Sequence, residues 1–519
     1  MEASTNAVGR KLPAEIGGRV IEPFRGAFAA PGQAEAPRGP GPRPRRAAGR
    51  GRPVKLVSSW DELLDRLELR DGMTVSFHHH LRDGDAVVNE TVARLAARGL
   101  KGLVIAPTAL FPTHDKLVPY IESGVIERVE GSMNGRVGEA CSRGAMRGLS
   151  VLRSHGGRGR AIQAGELPID LAVIAAPCAD PFGNANGLHG KSACGPLSYP
   201  EPDSVYAEQV VVVTDGLVPY PCSPWSIKGG NVDYVLEVPS IGDPSRIVSG
   251  TTRLTRSPTQ LLIAEMAARF VEGTGILREG FSFQAGAGGM SLAAVARVAD
   301  RMRASGIKAS FAHGGATGLL VGLLEEGLLG AIVDLQSFDL EAVRSCRENP
   351  RHIESTPFTS YGPQGAGCSA GMLDLALLGA TEIDLDFNVN VNTHSDGLLL
   401  HGIGGHQDAA AGSSCCVVTA PLFRKRIPIV RERVTTVSCP GEVVDVLVTE
   451  RGIAVNPRRG DLRERALAAG LPVVDIAELM DAARRITGIP EEPRFKDRPV
   501  ALVEWRDGGV LDVVRELDR

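Results

Sequence analysis

The segment TVSFHHHLRDGDAVVNETVARLAARGLKGLVIAP, residues 74–107, decides the fold class. It begins and ends with short apolar runs, and the helical pattern VNETVARLAARG lies between them. A strand, a helix and a second strand in this order form a βαβ unit. Near-continuous apolar strands recur along the chain: MTVSF, GLVIAP, DLAVIAAP, QVVVVT, AIVDLQ, SCCVVTAP and VDVLVT. Buried strands that alternate with helices predict an α/β fold with largely parallel sheets.

This segment has a counterpart later in the chain, FSFQAGAGGMSLAAVARVADRMRASGIKASFAHGG, residues 281–315. Phe77 precedes Ile105 by 28 residues, and Phe283 precedes Phe311 by the same interval. Later matches keep the order and an offset of 203 to 206 residues: ESGVIERV from Glu122 with EEGLLGAIV from Glu325, and AGELPIDLAVIAA from Ala164 with AGMLDLALLGA from Ala370. These matches predict an internal repeat of two similar α/β halves, with a binding site in the cleft between them.

The repeat and the local composition together predict three parts of the chain. They are an extended arm with a disordered linker (1–52), a first α/β domain (53–245) and a second α/β domain (246–519). If the two halves are alike, Phe77 superposes on Phe283 and Asp170 on Asp374.

The N-terminal part divides into an arm and a linker. Residues 31–52 are almost entirely Pro, Gly, Ala and Arg, which bury too little apolar surface to offset the entropy of ordering. Residues 9–28 instead carry scattered apolar anchors, namely Leu12, Ile16, Val20, Phe24 and Phe28. We therefore expect a disordered linker, and before it an arm that lies on the body of the protein or on a neighbouring subunit.

Composition limits the classes of partner. The 519 residues are 43% hydrophobic and 23% charged, which is typical of a soluble chain with more than one domain. The net charge of -4 provides no overall attraction for nucleic acid or an anionic membrane. Nine cysteines without CxxC spacing indicate a reducing compartment. No apolar run is long enough for a membrane span, and no signal peptide is recognisable, so we expect a cytoplasmic protein.

Four glycine-rich polar stretches follow predicted strands, where ligands bind in open α/β sheets. They are SFHHHLRDGD, CADPFGNANGLHGKSACG, QAGAGGMS and HSDGLLLHGIGGHQD. The last contains Gly402, Gly404 and Gly405, whose spacing is neither that of a P-loop nor GxGxxG. Exposed backbone amides in such turns suit phosphates, and small residues admit a thin pantetheine arm. The four stretches together suggest a site for a long thioester carrier.

Other chemistries have weaker support. Consecutive residues His78, His79 and His80 on a strand point to opposite faces, so they cannot all share one metal ion, and we expect no metal site. Ser, His and Asp residues are present, but we do not expect them to form a hydrolase triad. The cysteines mostly lie in apolar runs, which favours buried, unreactive thiols.

Several long motifs resemble the citrate lyase alpha subunit family. In chain order they are GRKLPAEI, DGMTVSFHHHLRDGD, SHGGR, QAGELPIDLAVIAAPCADPFGNANG, EGFSFQAGAGG, DLQSFD, FNVNVNTHSDG, GIGGHQDAA and LVTERGIAVNP. They cover nearly the whole chain outside the linker. The same skeleton is similar to the wider group of acyl-CoA transferases and acetyl-CoA hydrolases, so the resemblance implies two CoA-transferase-like halves.

The resemblance implies a citrate CoA-transferase. The acetyl group of an acetyl-thioester on an acyl carrier protein would be exchanged for citrate, which releases acetate and leaves a citryl-thioester. The implied partners are the beta (lyase) subunit and the gamma acyl carrier protein of an oligomeric complex. No cofactor would bind the chain directly, because the reacting thiol belongs to the CoA-like phosphopantetheine-type prosthetic group of the carrier.

One position departs from the wider group. Many of those transferases carry a nucleophilic glutamate in a segment that corresponds here to FAHGGATG, which places Gly315 at the acid's position. A glycine cannot be acylated, so the resemblance implies a ternary complex and a mixed anhydride in place of an enzyme thioester. Glu325 and Glu326 follow about ten residues later. A solvated helix end is the favoured interpretation of these two glutamates.

The expected site residues follow from the stretches above. As catalytic residues we expect Gly404, Gly405 and His406. For citrate and the thioester we expect His79, Asn184, Asn186, Lys191, Gly286, Gly288, Gly289, Asp396 and Gly402. Glycine amides would stabilise the oxyanion, and cationic or amide side chains would hold the citrate trianion. An alternative for Asn184 and Asn186 is a purely structural role in a turn.

The sequence is also compatible with two other functions. The first is a CoA transferase or acyl-CoA hydrolase for another carboxylic acid. The second is a non-catalytic scaffold of the same fold, which would have little reason to keep polar, glycine-rich loops at every strand end.

Overall fold

The computed structural model of the chain describes residues 4–29, 55–248, 254–286, 288–363 and 367–518. The predicted linker, residues 31–52, lies outside the described residues. Two large sheets dominate the architecture, one of seven strands and one of eight.

The N-terminal arm contains four two-residue strands: β1 (Ser4–Thr5), β2 (Lys11–Leu12), β3 (Glu15–Ile16) and β4 (Arg19–Val20). Of the predicted anchors, Leu12, Ile16 and Phe24 are buried. Val20 and Phe28 are instead exposed. In the tight β3–β4 hairpin the side chain of Val20 points outward, and the next residue, Ile21, is buried.

The first half forms the seven-stranded sheet in the order β5-β14-β13-β10-β6-β7-β8. Its strands, with those of small adjoining sheets, are β5 (Leu56–Val57), β6 (Thr74–Phe77), β7 (Leu103–Pro107), β8 (Ile126–Val129), β9 (Ser150–Leu152), β10 (Leu171–Ala176), β11 (Cys178–Ala179), β12 (Ala185–Asn186), β13 (Gln209–Thr214) and β14 (Tyr234–Glu237). Its helices are α1 (Trp60–Arg66), α2 (Val87–Ala97), α3 (Val118–Ser123), α4 (Gly135–Ser142), α5 (His155–Gln163) and α6 (Glu201–Tyr206). All neighbouring strands in the large sheet are parallel.

The second half forms the eight-stranded sheet in the order β18-β17-β16-β15-β19-β22-β26-β27. Its strands, with those of small adjoining sheets, are β15 (Ser282–Ala285), β16 (Ala309–Ala316), β17 (Leu329–Ser337), β18 (His352–Glu354), β19 (Leu375–Gly379), β20 (Glu382–Asp384), β21 (Val389–Asn390), β22 (Cys416–Thr419), β23 (Phe423–Arg424), β24 (Ile427–Pro428), β25 (Val430–Arg431), β26 (Val446–Thr449) and β27 (Gly452–Val455). Its helices are α7 (Pro258–Gly273), α8 (Gly289–Ser305), α9 (Gly318–Glu325), α10 (Leu340–Glu348), α11 (Pro357–Tyr361), α12 (His406–Gly412), α13 (Gly460–Ala468) and α14 (Ile476–Thr487). Only the edge pair β26–β27 of this sheet is antiparallel.

The two sheets share a strand order. In each, the first strand of the βαβ unit (β6 or β15) lies between the next strand in the chain (β7 or β16) and a later one (β10 or β19). Two further strands follow outward on that later side, β13 and β14 in one sheet and β22 and β26 in the other. The prediction of an α/β fold with largely parallel sheets is therefore confirmed, and each of the quoted apolar runs contains all or part of a strand of these sheets.

Two aspartates mark corresponding points of the sheets. A carboxylate oxygen of Asp170 accepts the Thr74 N–H at 2.6 Å, and one of Asp374 accepts the Ser282 N–H at 2.9 Å. The register beside them corrects the expected alignment. The residue after each aspartate pairs with Val75 in the first sheet and with Phe283 in the second, so Val75, and not Phe77, corresponds to Phe283. Superposition of the complete halves stays a prediction, as does the division at residues 245 and 246.

Alternation along the second sheet separates two cores. Leu375 and Leu377 of β19 pack with helices α7 and α8, while Ala376 and Leu378 belong to the large core shared with the first half. Successive side chains of a strand point to opposite faces, so a sheet buried on both faces needs apolar residues at every position. This is why the sequence of these strands is continuously hydrophobic.

A C-terminal hairpin connects the ends of the chain. Its strands are β28 (Phe495–Glu504) and β29 (Val510–Leu517), and β28 pairs in parallel with β9 of the first half. The Asn6 side-chain amide donates to the Val510 and Leu511 carbonyls at 3.0 and 2.8 Å, which fastens the N-terminal arm to the same hairpin. The last strands of the chain thus complete a small sheet that begins in the first half.

Eight of the nine cysteines are buried as free thiols, as their apolar neighbours in the sequence predict, and Cys368 is partly exposed. Among the described residues, no helix is both long enough and apolar enough to cross a membrane.

Candidate active site

The site begins where β6 ends. The three histidines that follow this strand alternate as expected, because the His78 and His80 rings lie 6.1 Å apart on one side and His79 turns away from them. The His79 ring stacks on Tyr199 at 4.9 Å between centroids, and its Nδ1 is hydrogen-bonded to Thr108. His79 therefore faces a different environment from its two neighbours.

His155 joins the same stack from helix α5. Its ring lies 4.4 Å from that of Tyr199 and 5.8 Å from that of His79, measured between centroids. The helix starts at His155 because the Ser154 hydroxyl caps it by accepting the Gly157 N–H at 3.0 Å. The stack of His79, Tyr199 and His155 is called the imidazole stack below.

The glycine-rich stretch of the second half contacts this stack through its backbone. The Gly404 carbonyl accepts the His155 N–H at 2.9 Å. Asp408, two residues into helix α12, accepts the Ser154 hydroxyl at 3.0 Å and the Gly156 N–H at 2.9 Å. Because the carboxylate is fully buried, desolvation raises its pKa, and Arg506 opposes the rise. Asp408 thus ties the start of α5 to the start of α12.

Three glycines of this stretch have no room for a side chain, or a backbone that disfavours one. Gly404 has a φ of +62°, in the left-handed region. A Cβ on Gly405 would lie 2.7 Å from the Tyr361 hydroxyl, and one on Gly402 would lie 1.7 Å from the Ser132 hydroxyl. Among the hydrogen bonds of the described residues, the N–H groups of Gly404 and Gly405 have no protein acceptor. These amides are therefore available to a ligand.

Behind Tyr361 lies a polar network of the second half. Gln284, near the end of β15, donates its amide to the Tyr361 hydroxyl at 3.0 Å and its side-chain oxygen lies 2.7 Å from His313 Nδ1. His313 Nε2 is 2.9 Å from the Ser360 hydroxyl. The network fixes the position of the Tyr361 ring beside residues 402–405, which are called the glycine turn.

Arg82 brings a positive charge to the cleft from the first half. Its guanidinium lies between two aromatic rings, 4.8 Å from the centroid of Phe111 and 5.0 Å from that of Phe338. Its backbone is left-handed, with a φ of 53°. The neighbouring Gln336 side chain donates to the His79 carbonyl at 2.9 Å, so this corner contains residues from both halves.

The Phe338 ring also occupies the space beside Gly315. A Cβ on Gly315 would lie 2.1 Å from Cε2 of that ring, so no side chain fits there unless Phe338 moves. Glu325 and Glu326 lie exposed at the end of α9, where they pair with Arg344 at 2.6 Å and Arg303 at 2.8 Å. This agrees with the interpretation of the two glutamates as a solvated helix end.

Burial keeps the imidazoles of the site neutral. Desolvation lowers the pKa of His155 and of His313 to about 3 and that of His406 to about 4, and it lowers the pKa of His79 well below its usual value. Desolvation also lowers the pKa of Arg82, to about 10, which leaves its guanidinium charged at neutral pH. The site therefore offers neutral hydrogen-bonding rings and a buried cation.

Several of the expected site residues do meet here. His79, Gly402, Gly404 and Gly405 are at the cluster just described. His406 is next to them as the first residue of α12, and its Nε2–H donates to the Gly379 carbonyl at 3.0 Å while its Nδ1 has no hydrogen-bond partner among the described residues.

The loop after β15 offers fewer amides than expected. The Gly286 N–H donates to the Leu377 carbonyl at 2.8 Å, so it is not free to bind an oxyanion. Gly288 precedes helix α8 and is exposed, and Gly289 is its first residue, so these two lie at a helix N-terminus. A role of Gly288 and Gly289 in binding the substrate or the thioester stays a prediction.

The remaining expected residues have contacts elsewhere. Asn184 donates to Asp180 at 2.8 Å and accepts the Gly229 N–H at 2.9 Å. The Asn186 side chain donates to the Pro224 carbonyl at 2.7 Å, so both asparagines stabilise turns. Lys191 is exposed and donates to the Pro239 carbonyl, and Asp396 accepts the N–H of Leu398 in an exposed turn at 3.0 Å. The hydrogen bonds that these four side chains form with other described residues do not involve the imidazole stack.

Sequence reasoning did not single out Tyr199 or Tyr361. His155, Arg82 and Gln284 were present in the quoted motifs SHGGR, SFHHHLRDGD and QAGAGGMS without an assigned role. The signal for these three was the motif itself, whereas the tyrosines reach the site from a loop and a short helix whose position depends on tertiary packing.

The comparisons with known proteins cover almost the whole chain. The family model of the citrate lyase alpha subunit matches residues 53–517. The citrate lyase alpha chain of Klebsiella pneumoniae is 47% identical over 89% of this chain and 91% of its own length, and that of Escherichia coli (strain K12) is 45% identical over 91% and 92%.

Solved structures give the same result. A structure of the alpha subunit of citrate lyase from Streptococcus mutans in complex with citrate is 41% identical, with a TM-score of 0.93 over 99% of this chain and 100% of that one. The alpha subunit of a malonate decarboxylase from Acinetobacter baumannii, at 16% identity and a TM-score of 0.62 over 83% of this chain and 88% of that one, shares the fold alone. By its sequence along nearly its full length and by its fold, the chain belongs to the citrate lyase alpha subunit family.

Proposed function

We propose that the chain is the citrate CoA-transferase subunit of a citrate lyase complex. It exchanges the acetyl group of an acetyl-thioester on the acyl carrier protein for citrate, with citryl-thioester and acetate as products. The observation that carries the proposal is the convergence of family motifs at one cleft. His79, His155, Gln284 and Gly404 come from four separate motifs, and their contacts link them through Tyr199 and Tyr361.

The proposed partners are those of the complex. The gamma acyl carrier protein brings the thioester on its CoA-like phosphopantetheine-type prosthetic group, and the beta subunit cleaves the citryl-thioester. The chain itself needs no bound cofactor for the exchange, because the reacting sulfur belongs to the carrier. We propose a cytoplasmic, oligomeric assembly.

The proposed mechanism uses a ternary complex. A citrate carboxylate attacks the carbonyl carbon of the acetyl-thioester, the C–S bond breaks, and a citric-acetic anhydride and the carrier thiolate are formed. The thiolate then attacks the citryl carbonyl of the anhydride, and acetate leaves. Because both reactants are bound together, the protein gains rate mainly by holding them in attack geometry.

The surroundings of Gly315 support a route without an enzyme nucleophile. The Phe338 ring fills the space that a side chain at this position would need. The buried carboxylates of the cleft are committed to structural hydrogen bonds, Asp408 to Ser154 and Gly156, and Asp334 to the Ala316 and Gln336 N–H groups. Each would have to break these bonds to attack a thioester.

Two features of the proposed site stabilise negative charge. The free N–H groups of Gly404 and Gly405 are our candidates for the donors to the tetrahedral oxyanion, where loss of one such donor typically costs about 3 kcal/mol of transition-state stabilisation. The Arg82 guanidinium is our candidate for the group that binds a carboxylate of citrate, because it remains charged although it is buried. The neutral imidazoles of His79 and His155 would complete the hydrogen bonds without adding charge.

The test is a search for a covalent intermediate. The chain is incubated with acetyl-carrier, quenched with borohydride and mapped by mass spectrometry, and the order of substrate addition is determined from initial rates. We expect sequential kinetics and an unmodified chain. A reduced aspartate or glutamate, or ping-pong kinetics, would contradict the ternary complex.

The same assay distinguishes citrate from other acids. Replacement of citrate by a monocarboxylate should stop the exchange. Equal rates with monocarboxylates would favour a transferase for another acid, and no exchange with any acid would favour a scaffold.

A further inference from the structure

A cavity lies away from the proposed active site. It has a volume of about 420 Å³ and no lining residue in common with the imidazole stack or the glycine turn. Three parts of the chain surround it: the N-terminal arm at residues 9–11, the loop after β25 at residues 433–436, and strand β29. Gly397 and Phe495 complete the lining.

The charge of this cavity is opposite to that of the whole chain. Four basic side chains line it, namely Arg10, Lys11, Arg433 and Arg515, against the single carboxylate of Asp512. Four positive charges and one negative charge leave a net charge of +3, whereas the 519 residues carry a net charge of -4. Like charges repel, so such a group is costly unless solvent or a ligand compensates it.

Part of the basic group is held in place by the protein. Arg10 donates to the Val434 carbonyl at 2.6 Å and pairs with Asp512 at 3.1 Å. Arg515 donates from one guanidinium nitrogen to the Asp497 carbonyl at 3.0 Å, which leaves its other donors available. Preorganised arginine forks are suited to bidentate recognition of carboxylates and phosphates.

The other cations lack an acidic partner. In the part of the chain that the structure describes, Lys11, Arg433 and Arg515 form no ion pair with a carboxylate. Gly9 has a φ of +75°, and a Cβ there would lie 3.6 Å from an Arg433 guanidinium nitrogen, so the arm passes directly beside this arginine. The cavity thus collects three uncompensated positive charges from segments that are distant in the chain.

We propose that this cavity binds a compact multivalent oxyanion, such as a pyrophosphate group or a small polycarboxylate. A ligand with two or three negative charges matches the net charge of the lining. Its volume fits within the cavity, which lies in the usual size range of small-molecule sites. An occupant would contact the arm, the loop and the hairpin at once, and would therefore also strengthen the junction between the two ends of the chain.

The test uses calorimetric titration of the full-length chain with pyrophosphate and, separately, with citrate. The variant is Arg433→Gln combined with Arg515→Gln, and the matched control is Arg269→Gln, an exposed arginine on α7. We expect pyrophosphate to bind the wild type, at least tenfold more weakly to the double variant, and unchanged to the control. Affinity should fall as salt is added.

The citrate titration separates the two sources of such an anion. On the proposed function citrate also binds at the active site, so a polycarboxylate site would appear as a second class of citrate sites that the double variant loses. Loss of pyrophosphate binding alone would identify a phosphate-type ligand, and both outcomes support the proposal. Lys11→Gln, at an exposed position, repeats the test should the double variant fold poorly.

The proposal would be overturned if neither anion bound the wild type, if the variants bound as tightly as the wild type, or if the Arg269→Gln control lost as much binding as the double variant. Citrate exchange should stay within about twofold of wild type in the double variant. A loss of exchange as large as the loss of binding would make the cavity part of the substrate site and would also contradict the proposal.

Discussion

Tyr361 lies so close to Gly405 that their contact limits what can replace this glycine. A Cβ at residue 405 would lie 2.7 Å from the tyrosine hydroxyl and 3.1 Å from its Cζ. Tyr361 cannot easily withdraw, because Gln284 bonds its hydroxyl and the T-shaped contact with His313 flanks its ring at 5.2 Å. A side chain at residue 405 would therefore have to displace a tyrosine that its own contacts hold in place.

Gly405→Val should abolish citrate exchange while the chain still folds. The branched side chain would displace Tyr361 and cover the N–H groups proposed to hold the oxyanion. Exchange of acetyl-carrier with citrate, together with circular dichroism, checks this. Gly322→Ala is the control, since nothing lies within 4 Å of its added Cβ, and it should keep full activity. Wild-type turnover of a folded Gly405→Val variant would remove the glycine turn from the site.

At the level of single residues, the sequence predicted backbone better than side chains. The glycines of GIGGHQ are visible in the sequence as a run of small residues. In the structure Gly402 and Gly405 lie close to Ser132 and Tyr361, and a role of this turn in binding or catalysis stays a prediction. Tyr199 and Tyr361 were missed because they meet the turn only after two halves of the chain have packed. Asn184 and Asn186 were chosen for their polarity, although their side chains bond the turns in which they lie.

Among the structural elements, the small sheet of β9, β28 and β29 depends on a buried ionic network. Arg153, at the end of β9, pairs with Glu504 of β28 at 2.6 Å and with Glu130 at 2.7 Å. The Arg153 and Glu504 side chains are 3% and 0% exposed, so the pair is almost fully removed from water. Arg19 of the N-terminal arm reaches the same glutamate at 2.6 Å.

Arg153→Leu should destabilise the protein by about 3 kcal/mol, because the substitution leaves buried carboxylates only partly compensated. Urea unfolding would measure the change. The control is Arg297→Leu, which removes a pair with Asp300 three residues away on the exposed face of α8 and should cost roughly 0.5 kcal/mol. A change as small as that of the control would show that the network contributes little.

The parallel strands were predictable because each carries its own signal of continuous apolar residues. The pairing of β28 with β9 was not, since nothing in either segment specifies a partner so far away in the chain. The same limitation explains the register of the repeat. Sequence similarity alone aligned Phe77 with Phe283, whereas the pairing of the strands aligns Val75 with Phe283.

Across the whole molecule, Glu354 connects the two halves. Lying at the end of β18, it accepts the Leu197 N–H at 3.0 Å and the Ser226 hydroxyl at 2.8 Å, both from the first half. Burial raises its pKa to about 7, and the carboxylates of Asp334 and Glu201 add to the rise. The contact between the halves is therefore sensitive to pH near neutrality.

The direction of this sensitivity follows from linkage. The pKa of Glu354 is about 7 in the folded state, above the reference value of 4.5, so the folded state binds this proton more tightly than the unfolded state does. The stabilisation is present below pH 4.5 and is lost as the pH rises through about 7. The full effect is roughly 3 kcal/mol.

Glu354→Gln should gain stability relative to wild type as the pH rises from about 4.5 to 8. The difference in the free energy of unfolding should change by roughly 3 kcal/mol over this range. Comparison of variant and wild type at each pH cancels the contribution of the buried histidines. Glu464→Gln, at an exposed position on α13, should show no such trend. If the difference in the free energy of unfolding between Glu354→Gln and wild type did not change with pH, Glu354 would not have the raised pKa.

The closing of the small sheet by the C-terminal hairpin has a consequence for synthesis of the protein in the cell. Arg153 and Glu504 are 351 residues apart in the chain. At typical elongation rates of about 5 to 20 residues per second, β9 leaves the ribosome roughly 20 to 70 s before its partner strand exists. During that interval the nascent chain exposes an unpaired strand edge and the apolar surface under it. Chaperone dependence during translation should therefore be greatest for this stretch, and a chain truncated before residue 495 should aggregate.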